Sequence, residues 1–311
     1  MKFLFIIDPI ASLDIKTDSS LLMMLEAQKR KKEVYYCEIQ DLSLRGPDPV
    51  ARVKKINIKK QNPHWKILSQ KHLELQTFDV IFMRKDPPVD EGYIYATYVL
   101  DLVKDKTRVL NDPTSLRSFN EKLIPLYFQS LIPSTLISSS LEKIKEFQLS
   151  LKRDIILKPL YGFGGLNVFR CSLNDKNLGS LVGMLTMNET FPVVVQEFLP
   201  EIEKTGDKRI LIVNGEPIGA VLRRPQRQDI RANLHAGGSC SKTSLNKQDL
   251  EICSHISSFL IEKNIFFAGI DVIGNKLIEV NITSPTCMQE LNRLNHMQSE
   301  IIFMNAIESL A

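Results

Sequence analysis

Between Gly269 and Cys287 the chain reads GIDVIGNKLIEVNITSPTC, which sets three oxygen-bearing side chains, Asp271, Glu279 and Asn281, into an otherwise apolar stretch. Two carboxylates and an amide form the donor set of a hard cation. Mg²⁺ in particular takes few protein oxygens and completes its shell with phosphates and water. The even positions Ile270, Val272, Ile278, Val280 and Ile282 are all apolar, while the odd positions include the three ligands and Thr283. Such alternation marks a hairpin buried on one face. For both strands to share that face, Asp271 must lie opposite Glu279, which requires an odd-numbered loop such as Gly274-Asn275-Lys276. Directly opposed anions destabilise a sheet. Either the pair simply faces solvent or a positive charge sits between them.

Two further stretches bear on that choice. In LKPLYGFGG the glycines Gly162, Gly164 and Gly165 follow Lys158, and glycine lets backbone N–H groups approach phosphate oxygens. No G-K-[ST] follows, and LNVFRCS reads as a strand, so neither a P-loop nor a dinucleotide fingerprint fits. The stretch reads either as a plain hairpin turn or as a flap over phosphates with a lysine at its base. In VVVQEFLPEI, a strand ending at Gln196, Glu197, Phe198 and Leu199 either runs into a loop as ordinary core or offers its backbone to an adenine edge, with Phe198 or Leu199 against the ring. A hard-cation site downstream of a phosphate flap implies a nucleoside triphosphate.

The elements that must position these groups follow from pattern and punctuation. A strand at Lys2–Ile7, a helix through Leu21–Ala27 capped near Asp18, and a strand at Val34–Ile39 give a β-α-β start and a parallel sheet. Residues 41–76 carry three prolines and yield no clear assignment. Val80–Met83 and Val109–Leu110 complete the first unit, with a helix over Tyr93–Val103 between them. Asn111-Asp112-Pro113 opens a helix expected to carry Lys122. Then come strand Ser134–Ile137, helix 140–151, strand Ile155–Lys158, the glycine loop, strand Asn167–Cys171, helix 175–187 and strand Val193–Phe198. Strands Lys208–Val213 and Pro217–Arg223, a long polar loop, helix 250–263, the hairpin and a terminal helix 288–309 end the chain. The division expected is 1–120, 121–200 and 201–311.

At 311 residues, with 43% hydrophobic and 24% charged, the chain has ordinary globular composition. Lys+Arg of 40 against Asp+Glu of 36 gives only +4, too little to imply nucleic acid. The basic runs Lys29–Lys32 and Arg52–Lys66 read as solvated faces. The five cysteines form no C-x-x-C pair and the five histidines no H-E-x-x-H motif, which argues against a Cys/His metal site and fits a reducing cytoplasm. The apolar run Phe3–Ile7 stops at Asp8, too short for a signal peptide, and no stretch reaches the length of a membrane span.

Taken in order, these parts resemble the ATP-grasp superfamily. The strings MRKDPPVDEGYIYATYVLD, NDPTSLRSFNEKL, IILKPLYGFGG, VQEFLPEIEKTGDKRILIVNGEPIGAVLRRP, RANLHAGG and FAGIDVIGNKLIEVNITSPTC are similar to the prokaryotic-type glutathione synthetases over essentially the whole chain. The resemblance implies an α/β ATP-grasp fold preceded by an N-terminal parallel-sheet domain. It also implies an ATP-dependent ligase joining γ-glutamylcysteine to glycine through an acyl phosphate, and relatives of this type are commonly homotetramers. By it, Asp271, Glu279 and Asn281 hold two Mg²⁺, with Mn²⁺ as a substitute. Lys122 and Lys158 contact ATP phosphates, Gly164 and Gly165 line the flap, Gln196, Glu197, Phe198 and Leu199 meet the adenine, and Asp207 meets the ribose. Arg209, Arg224 and Arg231 stabilise developing negative charge or grip carboxylates. Arg84, Asn233, Gly237, Gly238, Ser284 and Pro285 contribute to substrate binding.

The segment Pro225–Gly238 is polar, glycine-ended and too long for an ordinary connection, and reads as a lid over an intermediate that water would destroy. Two positions depart from the family: Tyr161, where an acidic residue is common, and Ile278, where a smaller polar residue is frequent and whose parity assigns it to the apolar face. The alternatives are another ATP-grasp carboxylate–amine ligase, such as one making D-Ala-D-Ala, or a nucleotide-binding regulatory protein without turnover.

Overall fold

The computed structural model describes residues 1–226, 229, 231–234 and 237–310. Three sheets organise them. The first contains β1 (Lys2–Ile6), β2 (Glu33–Cys37), β3 (Leu42–Arg45), β4 (Asp48–Ile58), β5 (Trp65–Glu74), β6 (Val80–Met83) and β7 (Arg108–Leu110), in the order β3-β4-β2-β1-β6-β7 with β5 paired to β4. Strands β2, β1, β6 and β7 run parallel, as the β-α-β start implies. Helix α1 (Ser19–Lys29) begins where Asp18 accepts the Leu21 N–H at 2.6 Å, and α2 (Glu91–Asp101) where Asp90 accepts that of Tyr93 at 2.9 Å.

The antiparallel ribbon β3-β4-β5 fills the stretch the sequence left unassigned. Its signal is hidden because β4 changes its buried face midway. Ala51 and Val53 pack with Leu4 and Ile6, whereas Ile56 and Ile58 pack with Phe3 and Phe5 on the opposite side. No single alternating apolar set runs through the strand. Three of the basic residues here are matched inside the chain: Arg52 pairs with Asp41, Lys55 with Glu33, and Lys54 lies over the Tyr36 ring. The run at Lys29–Lys32 is likewise tied to Glu26 and Glu308.

Helix α3 (Pro113–Ser118) ends before Lys122, contrary to expectation. Asn120 turns back to accept the Lys122 N–H at 2.9 Å, and the Glu121 carboxylate is drawn to the amides of Ile282 and Thr283 at 2.7 and 2.9 Å. The second sheet has β8 (Thr135–Ser138), β9 (Ile155–Pro159), β10 (Phe169–Cys171) and β11 (Val193–Glu197) in the order β10-β9-β11-β8. It is covered by α4 (Leu141–Leu151) and α5 (Leu178–Leu185) and has its own small core of Ile144, Leu157, Val182 and Val195.

After the short α6 (Glu201–Lys204), the third sheet comprises β12 (Asp207–Val213), β13 (Glu216–Arg224), β14 (Ser239–Lys242), β15 (Phe267–Ile273) and β16 (Lys276–Asn281), ordered β14-β13-β12-β15-β16. Helix α7 (Lys247–Glu262) starts three residues before the expected 250 because Asn246 and Asp249 cap each other. The terminal helix is two helices, α8 (Met288–Asn295) and α9 (Ser299–Glu308). His296 is left-handed at φ 56°, and Asn292 accepts the Ser299 N–H at 2.8 Å to start the second. The third sheet shares both large core clusters with the first, and Asn111 stitches them through Phe267 and Ile282. Among the described residues, no helix is long and apolar enough to cross a membrane.

Candidate active site

The hairpin β15-β16 pairs Asp271 with Glu279 and Gly269 with Asn281, as parity requires, but then shifts register. Val272 pairs with Leu277 and Ile273 with Lys276, leaving a two-residue turn, Gly274-Asn275, and a bulge at Ile278. The expected three-residue loop is therefore wrong. Leu277 takes the core position, while Ile278 leaves the apolar face and lines the cavity beside Glu279.

Register then builds a row of charge. Arg209 pairs with Asp271, and Asp271 with Glu279, so three neighbouring strands present their side chains in line. Arg209 Nε and Nη2 donate to Asp271 at 2.5 and 2.9 Å. From the next row, Arg223 donates to Asp207 at 2.7 and 2.6 Å, and its Nη2 also reaches Asp271 at 2.9 Å. Burial alone would raise the Asp271 pKa, but Arg209 and Arg223 outweigh it and hold the carboxyl at about 2. The positive charge demanded by the opposed carboxylates is thus supplied in part by the protein itself. Glu279 meets Lys122 at 3.3 Å.

The opposite wall comes from the second sheet. Lys158 on β9 is buried and donates to Gln196 on β11 at 2.8 Å. Burial pushes its pKa down to about 8, with Lys122 adding to the effect and Glu279 opposing it. Lys122 donates to the carbonyl of Gly162 in the glycine loop. Gln196, Glu197, Phe198 and Leu199 line the cavity with Gly164 and Gly165. The Arg170 guanidinium lies 3.8 Å from the Phe198 ring centre. Tyr161 is exposed.

From the segment 225–238, Arg231 donates to Asp229 and to the Gly165 carbonyl, and a side chain at Gly165 (φ +78°) would approach Arg231 at 3.2 Å. Ala232 packs with Phe198 and Ile202. Arg227, Gln228, Ile230, His235 and Ala236 of this segment lie outside the described residues.

Several expectations change. Arg224 is exposed and points away; its neighbour Arg223, not singled out in the sequence, lines the cavity because strand parity puts it on the face of Asp207 and Arg209. Asp207 reaches the cavity, but both its oxygens are bound by Arg223, so any ribose contact competes with that ion pair. Gly237 and Gly238 do not line the cavity; a side chain at Gly238 would strike the Ala232 carbonyl at 2.2 Å, and both shape the loop that presents Asn233. Arg84 and Pro285 lie behind the wall, Arg84 donating to Ser20 and to the Pro285 carbonyl at 3.1 and 2.9 Å, while Ser284 faces the cavity.

Glu121 is a residue sequence reasoning missed. Burial, then Glu279, raise its pKa, and the Thr283 and Ile282 amides oppose them. Its only sequence signal was adjacency to Lys122.

Of the three expected ligands, Glu279 and Asn281 fit a hard divalent cation, whereas both Asp271 oxygens are bound by Arg209 and Arg223, so a cation there competes with those ion pairs. Glu279 and Asn281 present oxygens to the cavity, since the Asn281 amide nitrogen is spent on Gly269 and Asp271 at 3.1 and 3.4 Å. Mg²⁺ held by so few protein oxygens takes phosphate and water oxygens to complete its shell.

Comparison with known proteins gives a single pattern. The family model for the N-terminal domain of prokaryotic glutathione synthetase matches residues 1–117, and that for its ATP-grasp domain matches residues 121–296. The glutathione synthetase of Buchnera aphidicola subsp. Baizongia pistaciae is 44% identical over 307 residues, covering 97% of this chain and 94% of its own. That of Synechococcus elongatus is 43% identical over 321 residues, covering 100% and 99%. Among solved structures, the D-cycloserine synthetase DcsG superposes with a TM-score of 0.71 at 13% identity, covering 99% of this chain and 100% of its own. The ATP-grasp ligase PsnB complexed with minimal precursor does so at 0.64 and 16%, covering 98% of each. These two establish the ATP-grasp fold alone.

Proposed function

The chain belongs to the prokaryotic glutathione synthetase family, and from that premise we propose that it joins γ-L-glutamyl-L-cysteine to glycine with conversion of ATP to ADP and phosphate. The observation that supports this most is the row Arg209–Asp271–Glu279 facing Lys158 and the glycine loop across one cavity. In the first step an oxygen of the cysteinyl carboxylate takes the γ-phosphoryl group. In the second, the glycine amine adds to the acyl carbon, and phosphate leaves as the amide forms with loss of a proton. Both steps build negative charge on oxygen, which fixed cations stabilise without reorganisation.

Bound Mg²⁺, as two ions for which Mn²⁺ substitutes, supplies charge neutralisation on the phosphates, and Asp271, Glu279 and Asn281 would hold it. Lys122 and Lys158 serve the phosphates, with Gly164 and Gly165 over them. Gln196, Glu197, Phe198 and Leu199 take the adenine. Arg209 is assigned to the acyl-phosphate oxygens, and Arg223 replaces Arg224 as its partner. Arg231, Asn233 and Ser284 face the peptide substrate, and a described part of the lid segment, Arg231 to Leu234, lies beside it. The contact of Arg231 with Gly165 supports that role.

We keep the division 1–120, 121–200 and 201–311, which the three sheets support. Five cysteines without a disulfide support a cytoplasmic setting, and a homotetramer, held by analogy alone, is read by sedimentation velocity.

The deciding experiment is ADP release with γ-glutamylcysteine, glycine and Mg²⁺, each omitted in turn. Full turnover needing all three is expected. Turnover with D-alanine instead, or none with any carboxylate, would overturn the reading.

A further inference from the structure

Strand β16 is the last strand of the third sheet, so one edge of its backbone has no strand to pair with. Amides on such an edge still need acceptors, and Glu121 supplies them. Its carbonyl accepts the Val280 N–H at 3.0 Å. Its carboxylate Oε1 accepts the Ile282 N–H at 2.7 Å, the Thr283 N–H at 2.9 Å and the Thr283 hydroxyl at 2.9 Å. These four bonds bracket Asn281 and begin one residue after Glu279. The residues on either side of Glu121 hold the opposite wall. Asn120 donates to the Leu160 carbonyl at 3.1 Å, while Lys122 donates to the Gly162 carbonyl and meets Glu279 at 3.3 Å. Residues 120–122 thus strap the end of β16 to the glycine loop. The three bonds to Oε1 all come from residues beyond Asn281, the last residue of β16 paired with β15, so they fix where the strand's end points.

Resting on the assignment of Glu279 and Asn281 to the cation, we propose that Glu121 is a positioning residue of that site, holding β16 so that both residues present their oxygens to the ion at a fixed separation. Both Asp271 oxygens are engaged by Arg209 and Arg223, so the ion depends the more on these two. The Asn281 amide nitrogen is spent on Gly269 and Asp271, which ties its oxygen to the course of the strand. Glu121 acts through the backbone at 280–283 and does not itself bind the ion. Groups that orient metal ligands in this way govern metal affinity by about 10–100-fold. A carboxylate suits the task, because hydrogen bonds to a charged acceptor are about twice as strong as neutral ones.

The test titrates Mn²⁺ into the full chain with a non-hydrolysable ATP analogue and reads free Mn²⁺ by electron paramagnetic resonance, with adenosine affinity measured beside it. Glu121→Ala should weaken Mn²⁺ binding by about 10–100-fold and leave adenosine affinity unchanged. Glu121→Gln keeps an acceptor oxygen for the same amides and should recover most of the loss. Should the alanine variant fail to fold, Glu121→Asp, one methylene shorter, is read in its place and should bind Mn²⁺ more weakly than wild type. Wild-type Mn²⁺ affinity in the folded alanine or aspartate variant, a glutamine variant no better than alanine, or a parallel loss of adenosine affinity overturns the proposal. Glu279→Gln separates this from the assignment beneath it. If that variant also binds Mn²⁺ as wild type does, the hairpin does not hold the cation; if it binds weakly while the Glu121 variants bind normally, the role of Glu121 alone is overturned. None of these readouts requires turnover.

Discussion

The two walls of the cavity are built on opposite plans. The third-sheet wall is a continuous ion network, Asp207–Arg223–Asp271–Arg209, fixed by strand register and backed by cores that also contain the first sheet. The second-sheet wall offers one buried lysine, a glycine loop and backbone edges, and rests on a small core of its own. Fixed charge belongs where the backbone cannot drift, because a preorganised cation acts only if it need not move as charge develops. A wall that must admit and release a nucleotide is better set on a separate, smaller unit. The joint between the plans is the contact of Phe198, Ile202 and Ala232.

Several experiments would break or sharpen that contrast. The largest effect belongs to the network: Arg209→Met leaves Asp271 short of a partner and should lower kcat by about 10²–10³-fold, the scale for losing one preorganised donor. ADP release with γ-glutamylcysteine and glycine measures it, and near-normal turnover would mean the wall is not the catalytic one.

Next comes the independence of the second core. Leu157→Ala should cost about 3 kcal/mol, as buried leucine truncations do. By hydrogen exchange, protection should be lost across β8–β11 and kept in β1, β2 and β6; a uniform loss would merge the two walls into one cooperative unit.

Lys158 offers a smaller, pH-dependent effect. Its depressed pKa of about 8 means the amine is cationic below that pH and neutral above it. KM for ATP should therefore rise as pH climbs past 8, by up to about tenfold for each pH unit as the charged fraction falls. Lys158→Arg, which stays protonated, should flatten the profile, and a profile unaltered by that change would remove Lys158 from the phosphates. Smallest is Arg224→Ala. An exposed residue off the network should leave stability within about 0.5 kcal/mol, with kcat and KM near wild type. A loss matching that of Arg209→Met would reverse the assignment of Arg223 over Arg224.

Much of this site could be read from residue order. Local periodicity gave the Asp271–Glu279 pairing, because side chains alternate strictly along a strand and only one parity hides the apolar set. Capping signals at Asp18 and Asp112 located helix starts, since each cap is a contact within three residues. The errors fell where a distant partner overrode local pattern. A bulge at Ile278 let Leu277 take the core, β4 exchanged buried faces between two clusters, and Glu121 ended the approach to Lys122 by bonding to Ile282 and Thr283. Arg223 and Arg224 differ by one position, and only the pairing of β13 with β12 tells which faces the cavity.

By itself, then, the sequence determined the oxygen-bearing side chains of the hairpin, the glycine loop and the strands that bear them, because propensity, alternation and capping act over a few residues. Tertiary structure alone decided which cation neutralises which carboxylate and which arginine lines the cleft. Those outcomes depend on register between strands and on burial, where charges remote in the chain become neighbours in a poorly screened interior.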